Sequence, residues 1–181
     1  MNHEEISSHP KAGSFVHNPI LVSIHRHSRL LYCAIAILVF VFDQVTKSMV
    51  RKSIAPHTLV PVIHHFFNLT NTSNSGAAFG LFSASPAPWK TAVLILVSLA
   101  LLAALGIFVW KSVRMEWESG VALALILGGA ASNLMDRIRY GRVTDFLDFY
   151  IRQYHWFTFN LADSAIVAGA GLLVLSLLAD R

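Results

Sequence analysis

Charged side chains are scarce in this sequence: Asp, Glu, Lys and Arg together make up 13% of 181 residues, against about 25% in a soluble globular chain. With hydrophobic residues at 55%, the chain has too little polar surface to cover itself in water, which excludes an ordinary soluble domain. It has a single cysteine, Cys33, so no internal disulfide forms; within an apolar run that residue reads as a small hydrophobe. It also lacks any basic run. The net charge of +4 and pI near 9.5 come from residues flanking apolar stretches, which argues against a nucleic-acid partner and for anionic lipid headgroups. No GxSxG, HExxH, P-loop or GxGxxG is present, so serine, metallo- and nucleotide-dependent mechanisms have no support. His57, His64 and His65 lack the spacing of a zinc ligand set. No metal and no cofactor are expected.

What is present is a set of apolar spans. Residues 1–28 are polar, rich in histidine and punctuated by Pro10, Gly13 and Pro19, and read as a flexible tail. Residues 30–50 form the first span. Its basic flank and apolar core resemble a secretory signal, but it runs into DQVTK rather than a small-residue cleavage site, so it reads as a retained helix. A hydrocarbon core of ~30 Å needs about 20 helical residues, which puts Asp43 and Lys47 inside the membrane or at its edge. Residues 54–88 hold four prolines and the β-prone pieces LVPVI and HHFFNLT, predicting a small, partly β element outside the membrane. Further spans are predicted over about 89–110, 118–136 and 159–179, the second bracketed by Trp89 and Trp110. The aromatic segment 140–158 is expected to lie amphipathically along the interface. The predicted fold is thus an all-α polytopic membrane protein of four transmembrane helices, with a small β-containing cradle and an interfacial segment. The membrane domain covers 29–181.

Four antiparallel spans bring the ends of the first and third to one membrane face with the starts of the second and fourth. Asp43, Lys47, Asn133, Asp136, Arg137, Asp145, Asp163 and the 68–76 loop all fall in that layer, so the polar groups costliest in lipid collect at one face. Intramembrane acids are functional suspects. Basic residues flank both faces, leaving the orientation open.

Peptide hydrolysis by two carboxylates needs one ionised to activate water and one protonated to polarise the scissile amide, and two acids held close share a proton. Asp145 and Asp163 are the favoured pair, with Asp136 and Asp148 as alternatives near the same face. Interfacial solubility would also explain Asp145 and Asp148, and a helix cap would explain Asp163. Asp43 and Lys47, four residues apart, share a helix face in the favourable order. They read either as a salt bridge or as a pair steadying the site. Asn133 and Arg137 have the same spacing and could grip one ligand or loop. Asn74 and Gly76 read as a tight turn.

The blocks DQVTK (43–47), NSGAAFG (74–80), GGAASNLMDR (128–137), GRVTDF (141–146) and FNLADSAI (159–166), in this order and spacing, closely resemble the lipoprotein signal peptidase (signal peptidase II) family. The resemblance runs from about Leu30 to the C terminus. It implies an aspartic endopeptidase of the bacterial inner membrane with both termini cytoplasmic and its site at the periplasmic face; the chain is expected to act as a monomer. The implied substrate is a prolipoprotein already bearing diacylglyceryl-cysteine, cut just before that residue. By the resemblance Asp145 and Asp163 are catalytic, and Asp43, Lys47, Asn74, Gly76, Asn133, Arg137 and Asn160 bind substrate or support the site, while Asp136 is structural. The sequence departs from the pattern at Ser132, where glycine is common, and at Thr144, where an aliphatic residue is frequent. The alternative is a proton-coupled transporter using Asp43, Asp145 and Asp163 as a relay. A transporter would place its charges nearer the midplane and often carry inverted repeats; no repeat is visible.

Overall fold

The computed structural model describes residues 19–76, 88–112 and 116–179. Four long helices carry the chain: α1 (Pro19–Ser53), α2 (Pro88–Lys111), α3 (Trp117–Tyr140) and α4 (Leu161–Ala179). Between them lie β1 (Leu59–Ile63), β2 (Phe67–Asn74), β3 (Val143–Ile151) and β4 (Tyr154–His155). Each helix holds a stretch long and apolar enough to cross a membrane, at Ser28–Ser53, Trp89–Lys111, Trp117–Tyr140 and Leu161–Ala179, so the four expected spans are all there.

α3 stands at the centre, packed on α1, α2 and α4. Its small residues set how closely its neighbours come. A Cβ on Gly128 would lie 2.5 Å from the Ala36 carbonyl oxygen of α1, and one on Gly129 would lie 2.5 Å from the Ala162 oxygen of α4. Two adjacent glycines therefore seat two helices against α3 backbone to backbone, the small-residue packing that membranes favour. Large side chains point outward instead, among them Ile37, Phe42, Leu96, Leu101, Val174 and Leu175, as a lipid-facing surface requires.

The helices alternate in direction. At one end Arg29 Nη2 donates to the Ser112 carbonyl at 3.3 Å, and Ser119 and Ser176 hydroxyls meet at 3.1 Å. At the other end Thr91 Oγ1 of α2 donates to the Gly141 carbonyl at 3.3 Å, where α3 stops. Gly141 takes the left-handed conformation (φ 71°) and its N–H caps the Arg137 carbonyl at 2.9 Å, the turn glycine permits at a helix C terminus.

Two expectations are corrected. The helix α1 starts at Pro19 rather than after Ser28, and proline suits a first helical turn because its missing N–H has no partner there anyway. The tail that remains, up to residue 18, lies outside the described residues, as do residues 77–87 of the expected cradle and thus the AAFG half of the 74–80 block. Segment 140–158 is built as strand rather than as a separate stretch, with Tyr154, Trp156 and Phe157 left exposed. It supplies β3 and β4 to a four-stranded antiparallel sheet of order β1-β2-β3-β4. Its β-branched and aromatic residues fit a pleated surface, and Phe149 stacks on Phe67 and Phe159 with ring centroids 4.7 and 5.8 Å apart. The sheet is therefore larger than the cradle anticipated from 54–88 alone. The turn before β2 uses His65 at φ 64°, with its N–H donating to Tyr150 OH at 2.9 Å.

Candidate active site

The site forms where the sheet meets the helix ends. β3 pairs antiparallel with β2, Thr72 opposite Asp145 and Asn74 opposite Val143, after a register shift between Leu69 and Thr72. The segment before α4 is laced to the other side of β3: the Phe159 carbonyl accepts from Phe146 and Leu147 N–H at 3.0 and 2.8 Å, and the Phe159 N–H donates to the Leu147 carbonyl at 3.2 Å. That lacing delivers Asn160 to Asp145.

Asn160 is the hinge of the arrangement. It caps α4, its Oδ1 accepting the Asp163 N–H at 2.9 Å, as expected of a residue just before a helix. With Oδ1 committed to a donor, its Nδ2 must face the other way, and it donates to Asp145 Oδ1 at 2.7 Å. Asn74 repeats the device: Oδ1 accepts the Gly76 N–H at 2.9 Å and Nδ2 donates to Asp145 Oδ2 at 3.0 Å. Arg137 Nη2 holds the same turn by donating to the Gly76 carbonyl at 3.1 Å. Asp145 is thus buried and gripped at both oxygens. Burial pushes its carboxyl up to about 7 and the neighbouring Asp163 carboxylate pushes the same way, against the pull of the Asn74 and Asn160 amides and the Lys47 ammonium.

Asp163 stands in the first turn of α4, where the helix dipole favours an acid. Asn133 Nδ2 donates to its Oδ1 at 2.7 Å. Behind Asn133 lies a fully buried ion cluster. Lys47 Nζ meets Asp43 Oδ2 at 2.6 Å, Asn133 Oδ1 at 2.7 Å and Asp136 Oδ2 at 3.4 Å. Its three ammonium hydrogens have three partners, which is how a buried lysine keeps its charge tolerable. Asp43 Oδ1 accepts the Ala162 N–H at 2.9 Å, so α1 caps α4 across the bundle.

The structure brings together Asp43, Lys47, Asn74, Gly76, Asn133, Arg137, Asp145, Asn160 and Asp163. It separates the two alternatives. Asp136 is fully buried and occupied by Lys47, by Gln44 Nε2 at 3.0 Å and by the Thr144 N–H at 3.2 Å. Asp148 is not the solvent-facing residue that interfacial solubility would require. It is buried in the sheet, accepting from Asn68 Nδ2 at 2.8 Å and paired with His155 Nδ1 at 2.9 Å. Sequence reasoning missed Gln44 and Arg51, and noted Ser132 and Thr144 only as departures from the family pattern, with no part in the site. Arg51 Nη1 donates to Thr144 Oγ1 at 3.0 Å and its guanidinium lies 4.6 Å over the Tyr140 ring. The signal was available on α1, where Gln44, Lys47 and Arg51 follow helical spacing on one face.

Among the described residues no group of three or more His, Cys, Asp or Glu side chains is placed to hold a metal. What the arrangement offers chemically is two carboxylates, Asp145 from the sheet held by Asn74 and Asn160, and Asp163 from a helix start held by Asn133, at one end of the bundle.

The family model described as "Signal peptidase (SPase) II" matches residues 35–179. The lipoprotein signal peptidase of Solibacter usitatus is 42% identical over 147 residues, covering 81% of this chain and 90% of that one. That of Desulforapulum autotrophicum is 41% identical over 150 residues, covering 82% and 92%. Two solved structures, each described as a bacterial membrane enzyme studied by the in meso method, superpose with TM-scores of 0.75 and 0.73 at 35% and 34% identity. They cover 83% of this chain and 88% and 94% of theirs.

Proposed function

The chain belongs to the signal peptidase II family, and from that premise we propose that it is an aspartic endopeptidase that removes signal peptides from diacylglyceryl-modified prolipoproteins, with Asp145 and Asp163 as its catalytic acids. It is a multi-pass membrane protein and a protease of lipoprotein maturation. The aspartic mechanism, the cut just before the lipidated cysteine, the inner-membrane location and the periplasmic placement of the site are our reading.

The observation that carries it is that Asn160 joins the two acids, donating to the Asp145 carboxylate and accepting the Asp163 backbone N–H, while the Asp163 carboxylate takes its own amide donor from Asn133. With one proton between them, the ionised acid takes a proton from water as the oxygen attacks the scissile carbonyl. The protonated acid polarises that carbonyl, and a proton then passes to the leaving amine. A substrate that is itself a lipid-bearing helix reaches this layer by diffusing within the membrane, and the layer lies where water still enters. The transporter alternative loses its support: Asp43, Asp145 and Asp163, the acids of the supposed relay, lie together at one end of the bundle, and the relatives are lipoprotein signal peptidases.

The test is cleavage of a diacylglyceryl-modified prolipoprotein by purified protein in detergent, comparing wild type with Asp145→Asn and Asp163→Asn. Wild type is expected to cut before the lipidated cysteine and both folded variants to be inactive. A folded wild type that does not cut sinks the function; a variant retaining near-full activity sinks the assignment of that aspartate.

A further inference from the structure

Ser132 is fully buried in α3, in a run of small residues where a side chain would be expected to do no more than fit. Its hydroxyl nevertheless has a fixed direction. The Asp43 carboxylate only accepts, so the 2.6 Å bond to Asp43 Oδ2 uses the serine proton. The serine oxygen is then left to accept, and Gln44 Nε2 donates to it at 2.9 Å. The same Gln44 nitrogen lies 3.2 Å from the Ser132 carbonyl and 3.0 Å from Asp136 Oδ1. Three helices meet here, because the other oxygen of Asp43 accepts the Ala162 N–H of α4, and Ala162 immediately precedes Asp163.

Lys47 also holds Asp43 Oδ2, but from one turn along the same helix. A single grip on Oδ2 leaves the carboxylate free to turn about that contact, even with Nζ itself anchored on α3 through Asn133 and Asp136. The Ser132 hydroxyl approaches the same oxygen from α3, so the two grips together leave Oδ1 pointing at α4. We infer that Ser132 is a positioning residue for Asp163: it holds Asp43 in the rotamer that caps Ala162, and so fixes where the start of α4 carries the Asp163 carboxyl. The inference rests on Asp163 being catalytic.

The test uses the full chain in detergent. Ser132→Ala is expected to lower kcat about tenfold, the loss of one hydrogen bond to a charged group. KM should stay within about twofold and the unfolding midpoint within a few degrees. Ser132→Cys, which keeps a weak donor of similar size, should recover part of the loss. In an Asp43→Asn background Ser132→Ala should cost nothing further, since both act through one bond. Amide exchange at Ala162 should quicken in Ser132→Ala. Wild-type kcat in Ser132→Ala, an undiminished loss in the Asp43→Asn background, or a loss that only tracks the folded fraction would each overturn the inference. If wild type proves inactive on the prolipoprotein, the functional reading fails on its own. The exchange rate then still decides the link to α4, an unchanged Ala162 amide overturning it.

Discussion

Lys47 Nζ donates to Asn133 Oδ1 at 2.7 Å, and that single contact decides which way the Asn133 amide faces. Lysine has only donors, so the amide oxygen must be turned to it and the NH2 group to Asp163. The buried ammonium thus acts on Asp163 through an oriented amide. Asn133→Ala is expected to lower kcat about 10- to 100-fold, the range for losing a hydrogen bond to a charged group. Asn133→Asp, which sets a carboxylate where the donor was, should be the more damaging. Steady-state kinetics on the lipidated substrate reads both.

The Asp145 carboxyl, raised to about 7 by burial and by the nearby Asp163 carboxylate, gives the activity an alkaline limb. As pH rises past that value the pair loses its shared proton and with it the acid, so kcat/KM should fall. The Asn74 amide stabilises the ionised form. Asn74→Ala should therefore move the limb to higher pH, and a limb that moves down would refute the part given to Asn74.

The same shift bears on stability. The folded chain holds the Asp145 proton from the ordinary carboxylate value of 3.8 up to about 7, while the unfolded chain has released it. The folded state binds the extra proton, so this group's contribution to stability falls as pH rises through that window. Thermal unfolding in detergent should show a shallower decline between those pH values in Asp145→Asn than in wild type, whatever the absolute midpoints.

Lys47 neutralises two fully buried carboxylates. Lys47→Met leaves Asp43 and Asp136 without that partner and is expected to cost about 3–5 kcal/mol, the usual penalty for stranding one side of a buried pair. Adding Asp136→Asn should restore part of the loss. If Lys47→Met unfolds at the wild-type temperature, the ammonium is not the cluster's counter-ion.

Glycine contacts separate packing from chemistry. Gly129→Ala forces a Cβ to within 2.5 Å of the Ala162 backbone oxygen, at the start of the helix bearing Asp163, and should cost about 1–3 kcal/mol together with activity. Gly106→Ala meets nothing within 4 Å and should leave activity unchanged.

The spans were legible because lipid leaves few options: a run such as Trp89 to Trp110 has to be a helix that crosses. Asp145 and Asp163 were legible from their blocks, and their nearness follows from helix direction. Strand β3 was harder to read. In VTDFLDFYI the acids stand three apart, breaking the two-residue alternation of a strand, because the residues from Val143 to Phe146 are all buried, Asp145 against the helix ends and Asp148 in the sheet with Asn68. Ser132 was hidden for another reason. Among Gly128, Gly129, Ala130 and Ala131 a serine reads as one more small residue, and only the position of Asp43 on another helix reveals its hydroxyl as a donor.

The cap that Asp43 places on Ala162 joins α1 to α4. Until α4 has been synthesised, Asp43 can be held by Lys47 one turn away, so the first span can wait in lipid with its charges matched. The start of α4 has no such arrangement for the Ala162 N–H and depends on a partner made more than a hundred residues earlier. The candidate site is therefore completed only once α4 is made, and a nascent chain halted before α4 carries Asp145 without the helix that brings Asp163.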